Sequence, residues 1–328
     1  MMKKYFLIVA AVLAFSVCGM AGAPQAMAKA TIKIGHTNAK THPVGLALEA
    51  FKAKTEAVSN GAVQVKVFHA AALGGDPDLI QGVQLGNIEM ASVNAGSYTQ
   101  FTKEFDIMSL PFIFRDFDHI NKVLDGELGK IFEDVLEKKM GSKAMAWSSS
   151  GARQLFCKAP INKVEDLKGK KIRTMNDPGI IEAFTLFGAI PSPISFGEIY
   201  TALQSGVVDG GESSFISWVN SRFVEVAKYG MDIRYMDTGR VFVINKKFYD
   251  KLSAEDKKAV DEGMSECQTV ARREYQAQDD GIKEKAVAAG GIIINPDLDS
   301  FRKAVAPMYD KFTPTLGKEW IEKIQNVR

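Results

Sequence analysis

Two arginines on short strand-like segments are the residues of this sequence best suited to hold a ligand. Arg153 begins one segment and Arg173 ends the other, and a polar connection containing Pro160 and Gly169 joins them. A guanidinium group is planar and permanently charged, and its N–H groups match a carboxylate in a bidentate arrangement. If the two strands are neighbours, both groups can reach one small anion. The alternative is a pair of surface arginines that only solvate a strand edge.

The sequence carries no motif for catalysis or for a resident metal. It contains no G-x-S-x-G, H-E-x-x-H or C-x-x-C pattern and no complete phosphate-binding loop. The four histidines, His36, His42, His69 and His119, lack metal-ligand spacing. We therefore expect no enzyme activity, no cofactor and no metal site.

Polar residues near the ends of predicted strands are further candidates for ligand contact. His36 lies at the carboxyl end of the first predicted strand, where α/β sheets place their ligands, and Asn38 lies on the same loop. We expect polar contacts from Ser92 and Asn94 as well. The other three histidines are expected to be structural or exposed to solvent.

The first 28 residues have the features of a secretory signal. Two lysines precede an apolar core at residues 5–17, and Ala-Met-Ala at 26–28 is a small-x-small cleavage pattern. Cys18 leaves a lipoprotein signal as the alternative, although the residues before it match that signal poorly. We expect ordinary cleavage and a periplasmic protein.

Charge and cysteine content restrict the partners. Without the two signal-peptide lysines the chain has 39 basic and 39 acidic residues. A neutral protein has no broad attraction for nucleic acid or for anionic membranes, so an anion needs a local site. Cys157 and Cys267 could pair after export, but we expect two buried thiols because two cysteines do not make a disulfide framework.

Strand and helix patterns alternate along most of the chain, as in residues 31–35, 44–58 and 63–68. This alternation predicts an α/β fold with a parallel or mixed sheet covered by helices on both faces. About 300 mature residues exceed one typical domain, so two lobes are expected.

Sequence patterns also predict one short strand and three helices in the rest of the chain. The patterns predict a strand at residues 207–210 and helices at 116–139, 215–229 and 253–289. The last helix would extend ~55 Å at ~1.5 Å per residue. It must either kink, at Gly263 or Gly281, or cross between the lobes.

An ordered series of short motifs resembles the solute-binding proteins of TRAP transporters, the DctP-type periplasmic receptors. The resemblance covers essentially the whole mature chain. Its motifs are Leu73-Gly-Gly-Asp, Leu79-Ile80, Val83-Gln-Leu-Gly86, Leu110-Pro-Phe-Ile-Phe-Arg115, Asp166-Leu-Lys-Gly-Lys-Lys-Ile-Arg173, Ala189-Ile-Pro-Ser-Pro193, Phe196-Gly-Glu-Ile-Tyr200, Leu203-Gln204, Val208-Asp-Gly210, Val243-Ile-Asn-Lys246 and Phe301-Arg-Lys-Ala-Val305. Each motif is weak alone, whereas their order and spacing are specific.

The resemblance implies roles for four residues. Arg173 closes the D-L-K-G-x-K-x-R motif, whose arginine holds the substrate carboxylate in this family, and Arg153 supports the same anion. Phe196 corresponds to an aromatic residue that packs on the ligand. Glu212 lies at the pocket and helps to hold a cation in some members.

The sequence departs from the family pattern after Glu212. Many relatives have Asn-Pro there, with the asparagine on the ligand, and this chain has Ser213-Ser214. We expect Ser213 to contact the ligand, and the shorter hydroxyl leaves the substrate open among sugar acids, dicarboxylates, 2-oxo acids and aromatic acids. Trp147, Trp218 and Phe215 either shape the pocket or, as we favour, pack in the core.

The resemblance implies a two-lobe periplasmic-binding-protein fold with the ligand cleft between the lobes and a long helix spanning both. Residues 29–150 with about 239–275 are expected to form lobe I, and residues 151–238 with about 276–328 lobe II. The implied function is capture of an organic acid and its delivery to TRAP membrane subunits, by a protein expected to be a monomer. An ABC-importer-type receptor and an exported enzyme acting on a small acid are the alternatives.

Overall fold

Two β-sheets, each covered by helices, make up the part of the chain that the computed structural model describes, residues 30–311 and 317–328. The predicted signal peptide therefore lies outside the described residues. The α/β prediction with two separate sheets is confirmed.

The first sheet has five strands in the order β2-β1-β3-β10-β4. β1, β2 and β3 are parallel, and β10 is antiparallel to both of its neighbours. We call this sheet and its helices the first lobe. Its strands are β1 (Ala30–Gly35), β2 (Val63–Phe68), β3 (Met90–Asn94), β4 (Ser142–Ser148) and β10 (Arg240–Asn245).

The second sheet has six strands in the order β11-β9-β5-β8-β6-β7. We call this sheet and its helices the second lobe. Its strands are β5 (Arg153–Cys157), β6 (Lys171–Thr174), β7 (Ile190–Pro193), β8 (Gly210–Ser214), β9 (Tyr229–Met236) and β11 (Ile292–Ile294). Contrary to the expectation from sequence, the strands of Arg153 and Arg173 are not neighbours, because β8, which carries Glu212, lies between them and pairs with both.

Helices cover both sheets, and short 3-10 turns join several of them. The helices are α1 (Pro43–Val58), α2 (Asp76–Leu85), α3 (Phe117–Asp125), α4 (Glu127–Met140), α5 (Pro178–Leu186), α6 (Ile199–Gln204), α7 (Phe215–Asn220), α8 (Lys246–Lys251), α9 (Ala254–Asp280), α10 (Ile282–Ala288), α11 (Leu298–Val305), α12 (Met308–Lys311) and α13 (Lys318–Asn326).

Three predicted elements differ from the structure. The helix predicted at 116–139 is two helices, because the chain leaves helical geometry at Gly126. The helix predicted at 215–229 ends at Asn220, and β9 follows it. The strand predicted at 207–210 begins only at Gly210, so it carries Glu212 and Ser213 within the sheet.

Strand β8 has a polar, glycine-containing sequence that local propensity does not favour as a strand. Its five residues are all buried between β5 and β6. A Cβ atom on Gly210 would lie 2.3 Å from Sγ of Cys157 and 2.6 Å from the carbonyl oxygen of Phe156. Glycine is therefore required for close packing here, and the neighbouring strands impose the extended conformation.

Helix α9 has 27 residues and packs along α1 of the first lobe. Its carboxyl-terminal end reaches the second lobe, where Gln278 accepts a hydrogen bond from Asn220 and Asp279 pairs with Arg234. The expected long helix spanning both lobes is present, but it ends at Gly281 and α10 follows. Gly263 causes no break; it lets α1 approach, since a Cβ there would lie 2.0 Å from Oγ1 of Thr55.

Asp237 joins two of the segments that connect the lobes. Its carboxylate accepts hydrogen bonds from Ser149 and Ser150, which follow β4, and from the backbone N–H of Gly239, which precedes β10. Such short connections are the places where two-lobe proteins bend.

The proposed division of the chain into lobes stays a prediction. Although residues 276–328 were assigned to lobe II, α13 contacts the first lobe. Nε2 of His119 lies 2.8 Å from the carbonyl oxygen of Ile324, and Nη1 of Arg115 donates to that of Gln325 at 2.8 Å.

Two smaller observations complete the fold. Cys157 and Cys267 are buried free thiols, as predicted, and burial raises the pKa of both. Among the helices of the described residues, none combines the length and the apolar character needed to cross a bilayer.

Candidate functional site

A cavity of about 300 Å³ lies between the two lobes. Strands β3, β6 and β8 end at the cavity, as expected for α/β proteins, whereas the antiparallel strands β5 and β10 begin there. The first lobe contributes Thr37, Asn38, His42, Gly75, Asp76, Pro77, Asn94, Ser97, Gln100 and Arg240. Ser150 and the second lobe contribute the rest, Arg153, Arg173, Met175, Asn176, Pro193, Ile194, Ser195, Phe196, Ser213 and Ser217.

Arg173 is buried at the end of β6 and lines the cavity. Its Nε donates to the carbonyl oxygen of Ile194 at 2.8 Å, and its Nη1 lies 3.3 Å from Oε1 of Glu212. No hydrogen bond joins its Nη2 to any described residue. One half of the guanidinium fork is therefore fixed by protein, and the other half is available to a ligand.

Arg153 reaches the same place from the start of β5. Its guanidinium group pairs with Oε2 of Glu212 and lies 3.4 Å from the carbonyl oxygen of that residue. Although burial opposes the charged form, the charge of Glu212 raises the pKa of Arg153. For Arg173, burial outweighs Glu212 and Arg153 repels it, so its pKa falls to about 10. Both groups remain charged at neutral pH.

Glu212 is completely buried behind the arginines and does not line the cavity. Besides the two guanidinium groups it accepts hydrogen bonds from the backbone N–H of Met175 at 3.0 Å and from the hydroxyl of Tyr235 at 3.1 Å. Its role in this geometry is to orient the arginines. Within residues 30–311 and 317–328, no group of three or more acidic, histidine or cysteine side chains could hold a metal ion.

The opposite wall is built around Asp76, the first residue of α2. Its Oδ2 accepts three hydrogen bonds of 3.0 Å, from the backbone and side-chain nitrogens of Asn94 and from the hydroxyl of Ser97. Its Oδ1 has only the Thr37 hydroxyl, at 3.5 Å. This carboxylate therefore retains capacity to accept a hydrogen bond.

Arg240, the first residue of β10, is a third arginine that sequence reasoning missed. Its Nη1 donates to the carbonyl and hydroxyl oxygens of Ser92 at 3.1 and 3.3 Å. Its Nη2 donates to the side-chain oxygens of Asn38 and Asn94 at 3.2 and 3.4 Å. In the sequence it only precedes an apolar run at residues 241–244, and the antiparallel pairing of β10 with β3 brings it to the cavity.

The two histidines nearest the cavity are neutral. Burial, Arg240 and His36 together lower the pKa of His42, which lines the cavity. Burial, Arg240 and His69 lower the pKa of His36 to about 3. His36 hydrogen-bonds to His69 over 2.8 Å and is absent from the lining, so the structure places it behind the wall.

The other candidates divide in the same way. Phe196 is half-buried, lines the cavity and packs edge-to-face on Phe223 with ring centroids 5.5 Å apart. Asn38, Asn94 and Ser213 also line it, whereas Ser92 does not and instead holds Arg240. Three further aromatic side chains, Trp147, Trp218 and Phe215, are buried outside the lining, in agreement with the packing interpretation.

Hydrogen bonds across the cleft join the two lobes. Gln100 accepts from Asn176 at 2.7 Å, His42 lies 3.4 Å from the hydroxyl of Ser217, and Ser109 donates to Asp177 at 2.5 Å. These bonds hold the lobes together over the cavity. The guanidinium groups of Arg153 and Arg173 are themselves buried in it.

This architecture, two lobes closed over an arginine-lined cavity, is that of a receptor for a small anion. Residues 34–315 match the family model described as bacterial extracellular solute-binding protein, family 7. The chain belongs to this family, the DctP-type solute receptors of TRAP transporters. It is 30% identical to the 2,3-diketo-L-gulonate-binding periplasmic protein YiaO of Escherichia coli over 333 residues, 99% of this chain and 98% of that protein.

Solved structures agree in fold over nearly the whole chain. A TRAP periplasmic solute-binding protein from Polaromonas sp. JS666, bound to D-erythronate, has 31% identity and a TM-score of 0.87, with 91% of this chain and 99% of that chain covered. One from Sulfurospirillum deleyianum with bound succinate has 33% identity and a TM-score of 0.87, with 92% and 100% covered. The family consists of transport receptors, so the chain is a receptor and not an enzyme.

Proposed function

We propose that this receptor captures an organic acid in the periplasm through Arg153 and Arg173 and delivers it to TRAP membrane subunits. The observation that carries the proposal is the half-occupied fork of Arg173. Glu212 and Ile194 fix one side of it, and its Nη2 is left for a ligand in a closed cavity. Export by cleavage of the first 28 residues and action as a monomer belong to the same proposal.

Lobe closure gives the arginines their strength as carboxylate ligands. A charge-assisted hydrogen bond contributes ~1.5–3 kcal/mol net, and micromolar affinity needs about 8 kcal/mol. The fork of Arg173 alone is insufficient after the costs of association. The face of Phe196 and the polar side chains of Asn38, Asn94 and Ser213 line the same cavity and supply the additional contacts.

The similar proteins support an acid as the ligand. D-erythronate and succinate are bound in two of the relatives, and the third is a 2,3-diketo-L-gulonate-binding protein; all three compounds carry a carboxylate. The D-erythronate-binding relative is 31% identical to this chain and the succinate-binding relative 33% identical, yet the first ligand has one carboxylate and the second has two. Overall identity therefore does not select the ligand of this chain.

A thermal-shift comparison of an acid with its neutral amide tests the proposal. D-glucuronate and D-glucuronamide are one such pair, and equivalent pairs of dicarboxylic, 2-oxo and aromatic acids complete the screen. A ligand at 100 times its Kd adds ~2.7 kcal/mol of stability. We expect at least one acid to raise Tm while its amide does not. If amides stabilise the protein as well as acids do, the carboxylate assignment is wrong.

A further inference from the structure

The wall of the cavity opposite the arginine pair carries its own recognition groups. Asp76, Asn38, Asn94 and Arg240 are all at most partly accessible and face the cavity from the first lobe. A ligand whose carboxylate lies on Arg153 and Arg173 must present its other end to this wall. The groups there determine which second functional group the ligand can carry.

Arg240 is not free to act as a second carboxylate clamp. Its two Nη atoms already donate to four oxygens, two of Ser92 and one each of Asn38 and Asn94. All four acceptors are uncharged, unlike Glu212 behind the other pair. The fork of Arg240 thus orients the two asparagines and offers no unoccupied Nη donor to a ligand.

Two groups on this wall have hydrogen-bonding capacity that a ligand can use, namely Oδ1 of Asp76 as an acceptor and the side-chain amide nitrogen of Asn38 as a donor. Oδ1 of Asp76 has a single distant partner at 3.5 Å, while Oδ2 is saturated by three donors. The amide nitrogen of Asn38 donates to no described residue, because only its oxygen is used, by Arg240. A hydroxyl group both donates and accepts hydrogen bonds, so it satisfies the two together. A carboxylate only accepts and cannot bond to Asp76.

The charges of the site lead to the same conclusion. Three positively charged arginines line the cavity. Two carboxylates carry the opposing negative charges, Asp76 in the wall and Glu212 behind the arginine pair. One positive charge remains in excess, which one ligand carboxylate neutralises. A second carboxylate would be buried beside Asp76 without a counter-charge, and like charges that meet in a desolvated interface are strongly disfavoured.

We propose that the Asp76–Asn94–Arg240–Asn38 wall reads hydroxyl groups, so that this receptor selects hydroxylated acids with one carboxylate and rejects dicarboxylates of the same length. The proposal rests on the proposed function, since it takes the first carboxylate to lie on Arg153 and Arg173. Asp76 is the residue that determines this specificity.

Matched pairs of acids test the selection directly. D-erythronate and meso-tartrate share a four-carbon hydroxylated chain, and D-gluconate and D-glucarate a six-carbon one; within each pair only a terminal hydroxymethyl group is replaced by a carboxylate. Calorimetry with the receptor purified in its exported form should show binding of a monocarboxylate from at least one pair, on the order of 100-fold tighter than its dicarboxylate. A dicarboxylate that binds equally well or better, or failure of both monocarboxylates to bind, overturns the proposal.

The variant Asp76→Asn separates specificity from a structural effect. It removes the charge while retaining the shape, so the preference within the pair should fall to about tenfold or less. A purely structural role would weaken both acids equally and leave their ratio unchanged. Asp78→Asn is the control, because Asp78 is an exposed carboxylate on the same helix and does not line the cavity itself; it only accepts a hydrogen bond from the backbone N–H of Gly75. It should leave the ratio as in the wild type.

The outcome for Arg173 distinguishes the two proposals. If an acid binds and its affinity does not depend on Arg173, the proposed function is wrong, because the carboxylate of the ligand then does not lie on the arginine pair. If affinity depends on Arg173 but dicarboxylates bind equally well, only the selection by the first lobe is wrong.

Discussion

Replacement of Glu212 by glutamine is expected to destabilise the empty receptor while increasing the stabilisation that a ligand provides. Glu212 is completely buried and accepts hydrogen bonds from Arg153, Arg173, Met175 and Tyr235. Glutamine preserves the shape, but it offers one acceptor oxygen in place of two and leaves two buried guanidinium groups without their counter-charge.

The magnitude follows from the burial of this ion group. Removing one partner of a buried pair costs ~3–5 kcal/mol because the remaining charge is uncompensated. For a chain of this size each kcal/mol shifts Tm by about 2–4 °C, so Tm should fall on the order of 10 °C. Burial and repulsion by Arg153 already lower the pKa of Arg173 to about 10, which shows how strongly these charges depend on compensation.

Differential scanning calorimetry with and without a saturating acid provides both readouts. The acid supplies a carboxylate to the same arginines, so its Tm increment should be larger in Glu212→Gln than in the wild type. Glu225→Gln is the control, since Glu225 is a surface carboxylate that pairs with Arg222 in the same lobe, and it should leave Tm unchanged. An unchanged Tm of the empty Glu212→Gln protein, or an increment no larger than in the wild type, would refute the reasoning.

Two further predictions concern stability. Burial raises the pKa of Asp177 from its ordinary 3.8 to about 6 in the folded protein, so its contribution is fully present below pH ~4 and is lost as the pH rises through about 6. Asp177→Asn should therefore gain roughly 3 kcal/mol of unfolding free energy relative to the wild type between pH 4 and 7, measured by urea titration, and a constant difference would contradict this. Gly210→Ala should destabilise the folded protein by about 1–3 kcal/mol because the added Cβ meets Cys157. Gly281→Ala is the control, since a Cβ there has no atom within 4 Å, and it should not destabilise the protein. Equal urea midpoints for the two variants would show that the packing argument is wrong.

The sequence predicted the class of fold because its patterns are local. Alternation of strands and helices in the first 70 residues matches β1, α1 and β2 closely. Where the prediction failed, tertiary contacts override local preference. Gly210 to Ser214 form a strand only because β5 and β6 flank them, and Gly126 divides a helix whose apolar spacing continues past it.

The candidate site was predictable only in part, for the same reason. Arg153, Arg173, Phe196, Asn38, Asn94 and Ser213 line the cavity, although their contact with a ligand stays a prediction. In the sequence, Asp76 stood out only as the last residue of the Leu73-Gly-Gly-Asp motif, and Arg240 only as part of the segment of about 239–275 expected in lobe I. The pairing of β10 with β3 brings Arg240 to the cavity, and the start of α2 beside the end of β3 brings Asp76 there. Neither contact can be read from the sequence. Conversely, His36 and Ser92 lie outside the lining, where His36 hydrogen-bonds to His69 and Ser92 holds Arg240.

The central claim is that the fork of Arg173 holds the ligand carboxylate, and Arg173→Lys tests it most directly. Lysine keeps the charge but cannot reproduce the two-sided geometry fixed by Glu212 and Ile194. Isothermal titration of the acid identified in the screen should show binding weaker by about 100-fold, with the loss of one or two charge-assisted hydrogen bonds. The exposed control Arg222→Lys should bind as the wild type does. An unchanged affinity in Arg173→Lys would contradict the account.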